Sequence, residues 1–176
     1  MSESDHWTRA ACTKRLTTTM VKPTTDDDFN QLIPEMRDWN NGAGIDPEGW
    51  VGCMGSNELA IGYSLIFWPR FVLIDDYVLR DCGSATEASL RNWERSASHD
   101  RRSIEAVMNH CHIIDLHAVG KPATEAQLRY LGRVLKEIHD VKLKSEFPDR
   151  TFVVSFNDEP DLELLDYQLT FWQEQV

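Results

Sequence analysis

Thr124-Glu125-Ala126-Gln127-Leu128-Arg129-Tyr130-Leu131-Gly132-Arg133-Val134-Leu135, running on to Ser145, is the stretch that decides the fold. Thr124 and Gln127 have the spacing of a capping box, in which a hydroxyl and an amide each satisfy a backbone N–H of the other. Leu128, Leu131, Val134, Leu135, Ile138 and Val141 recur with helical period and predict one apolar face. Lys136 with Asp140, and Asp140 with Lys144, predict i,i+4 ion pairs on the outside. Gly132 costs about 1 kcal/mol against Ala inside a helix, so it predicts a close neighbour at that turn. Pro148 ends the pattern.

The period then changes. Residues 151–156 and 167–172 are rich in β-branched and aromatic side chains and partly alternate, which reads as two strands. The connection 157–166 has the length of a hairpin loop, so the pair is expected to run antiparallel. Residues 71–74 and 77–79 flank Asp75-Asp76 and add two short strands, or one bent strand, to the same small sheet.

Helices fill most of the remainder. Thr25 followed by Asp26, Asp27 and Asp28 opens one, with carboxylates against the positive end of the dipole. Phe29, Leu32, Ile33 and Met36 continue it, and Pro34 predicts a break near Leu32. Asn41-Gly42-Ala43-Gly44 is turn chemistry. Asp46-Pro47 starts a second helix, and Ser56 caps a third over 57–67, which Pro69 stops. Ser84 or Thr86 caps a helix through Leu90 and Trp93. Asp100 caps another, expected over 101–117, with Ile104, Val107, Met108, Cys111 and Ile114 as its buried stripe. The expected fold is a single α+β domain over 25–176, mostly helical with a small antiparallel β-sheet, behind a disordered tail over 1–24.

Composition bounds the function. The 176 residues suit one domain, at 41% hydrophobic and 27% charged. The formal net charge of −11 opposes nucleic-acid binding, which draws on Lys and Arg displacing counterions. No apolar run approaches the ~20 residues of a membrane helix, and the N-terminus shows no secretory pattern. Residues 1–24 carry a local charge of +2, but Glu3 and Asp5 in the first five positions argue against a mitochondrial leader. Residues 25–176 then carry −13. Cys12, Cys53, Cys82 and Cys111 form no CxxC pair, so the expected location is the cytoplasm with reduced thiols.

Chemistry concentrates in Asn109-His110-Cys111-His112-Ile113-Ile114-Asp115-Leu116-His117. His110, His112, Asp115 and His117 are suitable donors for zinc or iron. On a helix, however, His110 and His117 share a side while His112 points away and pairs with Asp115, so three ligands converge only if the segment is extended. The structural alternative has these histidines bordering a buried face and bonded to backbone. No GxSxG elbow, HExxH pair, Walker loop or GxGxxG fingerprint occurs, nor the deaminase signature. The 41–44 loop lacks phosphate-binding spacing, and Cys53 and Cys111 fall on expected apolar faces, where a thiol packs as a small hydrophobe.

The charge layout is more informative. No basic residue follows Arg150, while Asp158, Glu159, Asp161, Glu163, Asp166 and Glu174 are all acidic. The 157–166 loop therefore presents a dense negative field, with Trp172 on the adjoining strand as aromatic anchor; Trp39 and Trp50 bracket the Gly-rich loop elsewhere. Aromatic anchors ringed by charge are the make-up of an interface. Plain solvation of an acidic loop is the simpler alternative.

Glu58-Leu59-Ala60-Ile61-Gly62-Tyr63 through Phe67-Trp68-Pro69, Val107-Met108-Asn109-His110 and Tyr167-Gln168-Leu169-Thr170-Phe171-Trp172 give the chain a likeness over roughly 28–172. It resembles small uncharacterised bacterial proteins, some of the kind found as cytosolic immunity partners of toxins. The resemblance brings no catalytic residues with it. It implies an acidic inhibitor facing a basic protein, a toxin being one such partner. The expected function is thus an acidic cytosolic binding protein without cofactor, taking a basic protein through Asp158, Glu159, Asp161, Glu163 and Trp172. Nucleic acid and membrane are not expected as partners, and a homodimer stays open. The alternative is a metal-dependent hydrolase built on His110, His112, Asp115 and His117, with bound water as nucleophile.

Overall fold

A computed structural model describes residues 28–83, 87–96, 100–117 and 122–174. The tail over 1–24, the opening at Thr25 and the caps at Ser84 or Thr86 lie outside the described residues. The chain divides into two compact units, Met1–Ala60 and Ile61–Val176.

In the first unit the helix cap falls on Asp28, whose carboxylate accepts from Asn30 N–H at 2.9 Å and opens α1 (Phe29–Leu32). Pro34 cannot continue an α-helix, and the chain tightens into a 3-10 turn over Pro34–Asp38. Leu32, Met36 and Trp39 are buried. Asn40, Asn41 and Gly42 take left-handed backbone, as the turn residues there predict. Asp46 caps α2 (Pro47–Met54) by accepting from Gly49 N–H at 2.9 Å, with Pro47 at the first helical position. Ser56 Oγ accepts from Leu59 N–H at 3.2 Å and starts α3 (Asn57–Phe67), which runs on into the second unit. Neither α2 nor α3 contains a buried residue.

The second unit holds the sheets. β1 (Phe71–Ile74) and β2 (Tyr77–Arg80) form a hairpin in which Ile74 pairs with Tyr77. Asp75 and Asp76 make its two-residue turn, both at positive φ, the geometry that matches strand twist. Without glycine such a turn is strained, and arginines hold it. Arg91 pairs with Asp75, while Arg150 reaches Asp76 at 2.7 Å and Arg101 at 3.5 Å. α4 (Glu87–Arg95) follows. α5 (Arg101–Met108) is capped by Asp100, which accepts from Ser103 N–H at 2.8 Å.

The helix expected over 101–117 stops at Met108. Asn109 ends it because its side chain is consumed by two strands, and β5 then recruits the next residues as β3 (Cys111–His112). A 3-10 turn over Ile113–Leu116 comes next. Val107, placed on the buried stripe by period alone, is exposed, and the buried residues of α5 are Ile104 and Glu105.

α6 (Glu125–Glu146) carries the expected capping box and the Lys136–Asp140 pair at 2.8 Å. Its core face is Leu128, Gly132, Leu135, His139 and Leu143, whereas Val141 is exposed. Gly132 faces the Phe156 ring so closely that an added Cβ would lie 2.1 Å from Cζ. β4 (Phe152–Phe156) and β5 (Gln168–Gln173) are the antiparallel pair the alternation predicts, and the sheet order is β3-β5-β4. Leu169 and Phe171 of β5 pack with Leu128, Leu135 and Leu143 of α6. On the opposite face Thr170 Oγ1 donates to Ala106 O of α5 at 2.5 Å, and Arg102 lies over the Trp172 ring.

The α+β class therefore holds, with helix predominating. The β1–β2 hairpin does not join the other strands, as had been expected, but is a separate two-stranded sheet. Glu105 and Asn109 stand between β2 and β5 and satisfy the backbone groups that strand pairing would have used. Among the described residues no helix is long and apolar enough to cross a membrane.

Candidate functional site

The acidic loop between β4 and β5 is closed at its base by backbone bonding, Asn157 N–H donating to Gln168 O at 3.0 Å. Asn157 Nδ2 also donates to Asp166 O at 2.9 Å, and the buried Tyr167 hydroxyl to Glu159 O at 3.4 Å. A 3-10 turn over Leu164–Asp166 shapes its distal half.

The carboxylates proposed from sequence have different fates. Asp158 is held internally. Arg129 Nε donates to its Oδ1 at 2.7 Å and Arg133 Nε to its Oδ2 at 2.6 Å. Burial raises the Asp158 carboxyl, but the hydrogen bonds and charge of Arg133 and Arg129 outweigh it and hold the group below its usual range. Asp158 thus fastens the loop to α6 and contributes little outward field. Glu159, Asp161 and Glu163 are exposed. Trp172 is not the anchor expected. It is half-buried, and the Arg102 guanidinium sits 4.7 Å from its ring centre, covering it from the α5 side. The apolar surface beside the acids comes instead from Leu164 and Leu165, 38% and 58% exposed. Sequence reading passed them over because a leucine pair in an acidic loop has no period to mark it. Trp39 is buried, and Trp50 is half-buried with its Nε1 donating to Glu35 Oε1 at 3.2 Å.

The histidine segment is extended only at Cys111–His112 and then turns as a 3-10 helix over Ile113–Leu116, and the four donors do not assemble. His110, just before β3, and His112 within it meet, Nε2 to Nε2, at 3.3 Å. His117 turns to Tyr63, with 2.5 Å between Nε2 and the hydroxyl. Asp115 lines the same open cavity of about 520 Å³ as His110 and His112, together with Arg80, Asp81 and Cys82. No group of three or more histidine, cysteine or acidic side chains is placed to hold a metal among the described residues. The three-donor centre that a hydrolase requires is therefore not gathered there. Cys53, Cys82 and Cys111 are not disulfide-bonded, and Cys111 Sγ lies 3.6 Å from His112 O. Comparison with protein-family models, curated proteins and solved structures returned no match.

Proposed function

We propose that this chain is an acidic cytosolic binding protein that captures a basic protein, in the manner of an inhibitor or immunity partner. One observation carries the reading. The loop bearing Glu159, Asp161 and Glu163 outward, with Leu164 and Leu165 exposed beside them, is tied down by Asp158, Asn157 and Tyr167. A tethered loop loses little freedom on association, so its contacts convert more fully into affinity. Apolar side chains next to like charges supply the anchor, and the carboxylates supply steering toward a positive surface. A formal charge of −11 adds long-range attraction that salt weakens.

The test begins with the protein recovered on the immobilised chain from extract of the native host. Its association is then followed for wild type, for the triple variant Glu159→Gln, Asp161→Asn, Glu163→Gln, and for Leu164→Ala with Leu165→Ala. The triple variant is expected to slow association roughly tenfold and to flatten its salt dependence. The leucine variant is expected to speed dissociation with little change in on-rate. A partner whose on-rate ignores both the triple variant and added salt refutes the reading.

A further inference from the structure

The imidazoles of His110 and His112 are arranged as ligands. His110 Nδ1 lies 2.9 Å from Val107 O, and His112 Nδ1 lies 2.7 Å from Leu165 O. A carbonyl oxygen only accepts, so each Nδ1 carries the proton and donates. Nε2 of each ring is then the atom left to meet a cation, and the two Nε2 atoms stand 3.3 Å apart. Two such nitrogens repel at that separation unless a metal ion or a shared proton lies between them.

The dimensions fit a metal cation. Two nitrogens on a tetrahedral zinc ion, each about 2.0–2.1 Å from the metal, are separated by about 3.3–3.4 Å. The observed ring-centre separation is 5.1 Å, with planes at 83°. The backbone carbonyls do what outer-shell partners of metal-bound histidine do, fixing tautomer and ring orientation. The cavity into which the pair opens is lined by Asp81 and Asp115 against Arg80, which leaves a net negative wall for an incoming cation.

We infer that His110 and His112 form a two-imidazole site for a divalent transition ion, zinc first among those that imidazole suits, with water completing the coordination. The inference goes beyond protein capture and does not depend on it. It also reaches the acidic loop, because the His112 anchor is the carbonyl of Leu165.

The full chain, stripped with chelator, is titrated with Zn2+ against a chromophoric competitor and separately with Co2+ by visible absorption. Wild type is expected to saturate with an ion that His110→Ala or His112→Ala each weakens at least tenfold. His117→Ala, whose ring is engaged with Tyr63, is expected to bind as wild type does. Circular dichroism checks that each variant keeps its helix. Nitrogen-15 spectra of the imidazoles should show both Nε2 signals shifting together on titration. No saturable binding, or unchanged binding by the His110→Ala, His112→Ala double variant, overturns the site and leaves a proton shared between the rings.

Discussion

Glu105 and Asn109, both buried and four residues apart at the end of α5, divide between them the facing backbones of β2 and β5. Glu105 accepts from Val78 N–H at 3.0 Å and from Gln173 N–H at 2.7 Å. Asn109 donates to Val78 O at 3.0 Å and Phe171 O at 3.2 Å, and accepts from Arg80 N–H at 2.9 Å. Two side chains thus act as a short strand of donors and acceptors between two sheets. Removing either orphans buried backbone groups, which costs more than the bonds themselves contribute.

Glu105→Ala and Asn109→Ala are each expected to lower unfolding free energy by about 2–4 kcal/mol. The double variant should lose less than the sum, because both residues serve Val78 and one loss already loosens the hairpin. Urea denaturation of the four proteins checks this. Strict additivity would refute the shared role.

The Gly132–Phe156 contact gives a second prediction. Ala is the better helix former by about 1 kcal/mol, so Gly132→Ala would be stabilising on an open helix face. Here the new Cβ meets three ring atoms of Phe156, and the ring must move. A net loss of about 1–3 kcal/mol is expected. Adding Phe156→Leu to Gly132→Ala should recover part of it, which thermal unfolding of the pair would show.

The fastening of the acidic loop separates two kinds of carboxylate. Asp158→Ala is expected to cost about 1 kcal/mol, since it bridges two half-exposed arginines, and to speed amide exchange at Asn157 and Tyr167. The triple variant at Glu159, Asp161 and Glu163 should leave stability and exchange unchanged, because those groups face solvent. Equal exchange in both variants would mean that the arginines do not hold the loop.

What the sequence disclosed was local. The capping box of α6, the Asp46-Pro47 and Ser56 starts, the Pro34 break and the close neighbour of Gly132 all follow from chemistry within a turn or two. Four misses share one cause, a partner distant in sequence. The helix after Met108 yields because Asn109 is claimed by Val78 and Phe171, 31 and 62 residues away. Val141 keeps the period of a core residue yet is exposed, while His139, against Phe71 and Phe171, and Lys142, over Trp68, take buried places on α6. Trp172 is covered by Arg102 and Asp158 by Arg129 and Arg133. The short strand at Cys111–His112 follows from the first of these, and no periodicity within 109–117 announces it.

His139 carries a pH dependence whose sign follows from its surroundings. The ring is buried between Phe71 and Phe171, and burial drives its pKa down from 6.5 to about 4. The hydrogen bond to Leu135 O at 2.7 Å and the charge of Asp140 oppose the drop, while Arg80 adds to it. The folded chain therefore keeps His139 neutral where the unfolded chain protonates it. Stability is full above pH 6.5 and falls as pH drops toward 4, by roughly 3 kcal/mol from this group alone. Carboxylates held low, such as Asp76 and Asp158, lose their contribution only below about pH 4 and so lie outside that window. His139→Leu should flatten the slope of unfolding free energy between pH 6.5 and 4, whatever its cost at neutral pH. A variant that retains the wild-type slope would assign the proton uptake to another group.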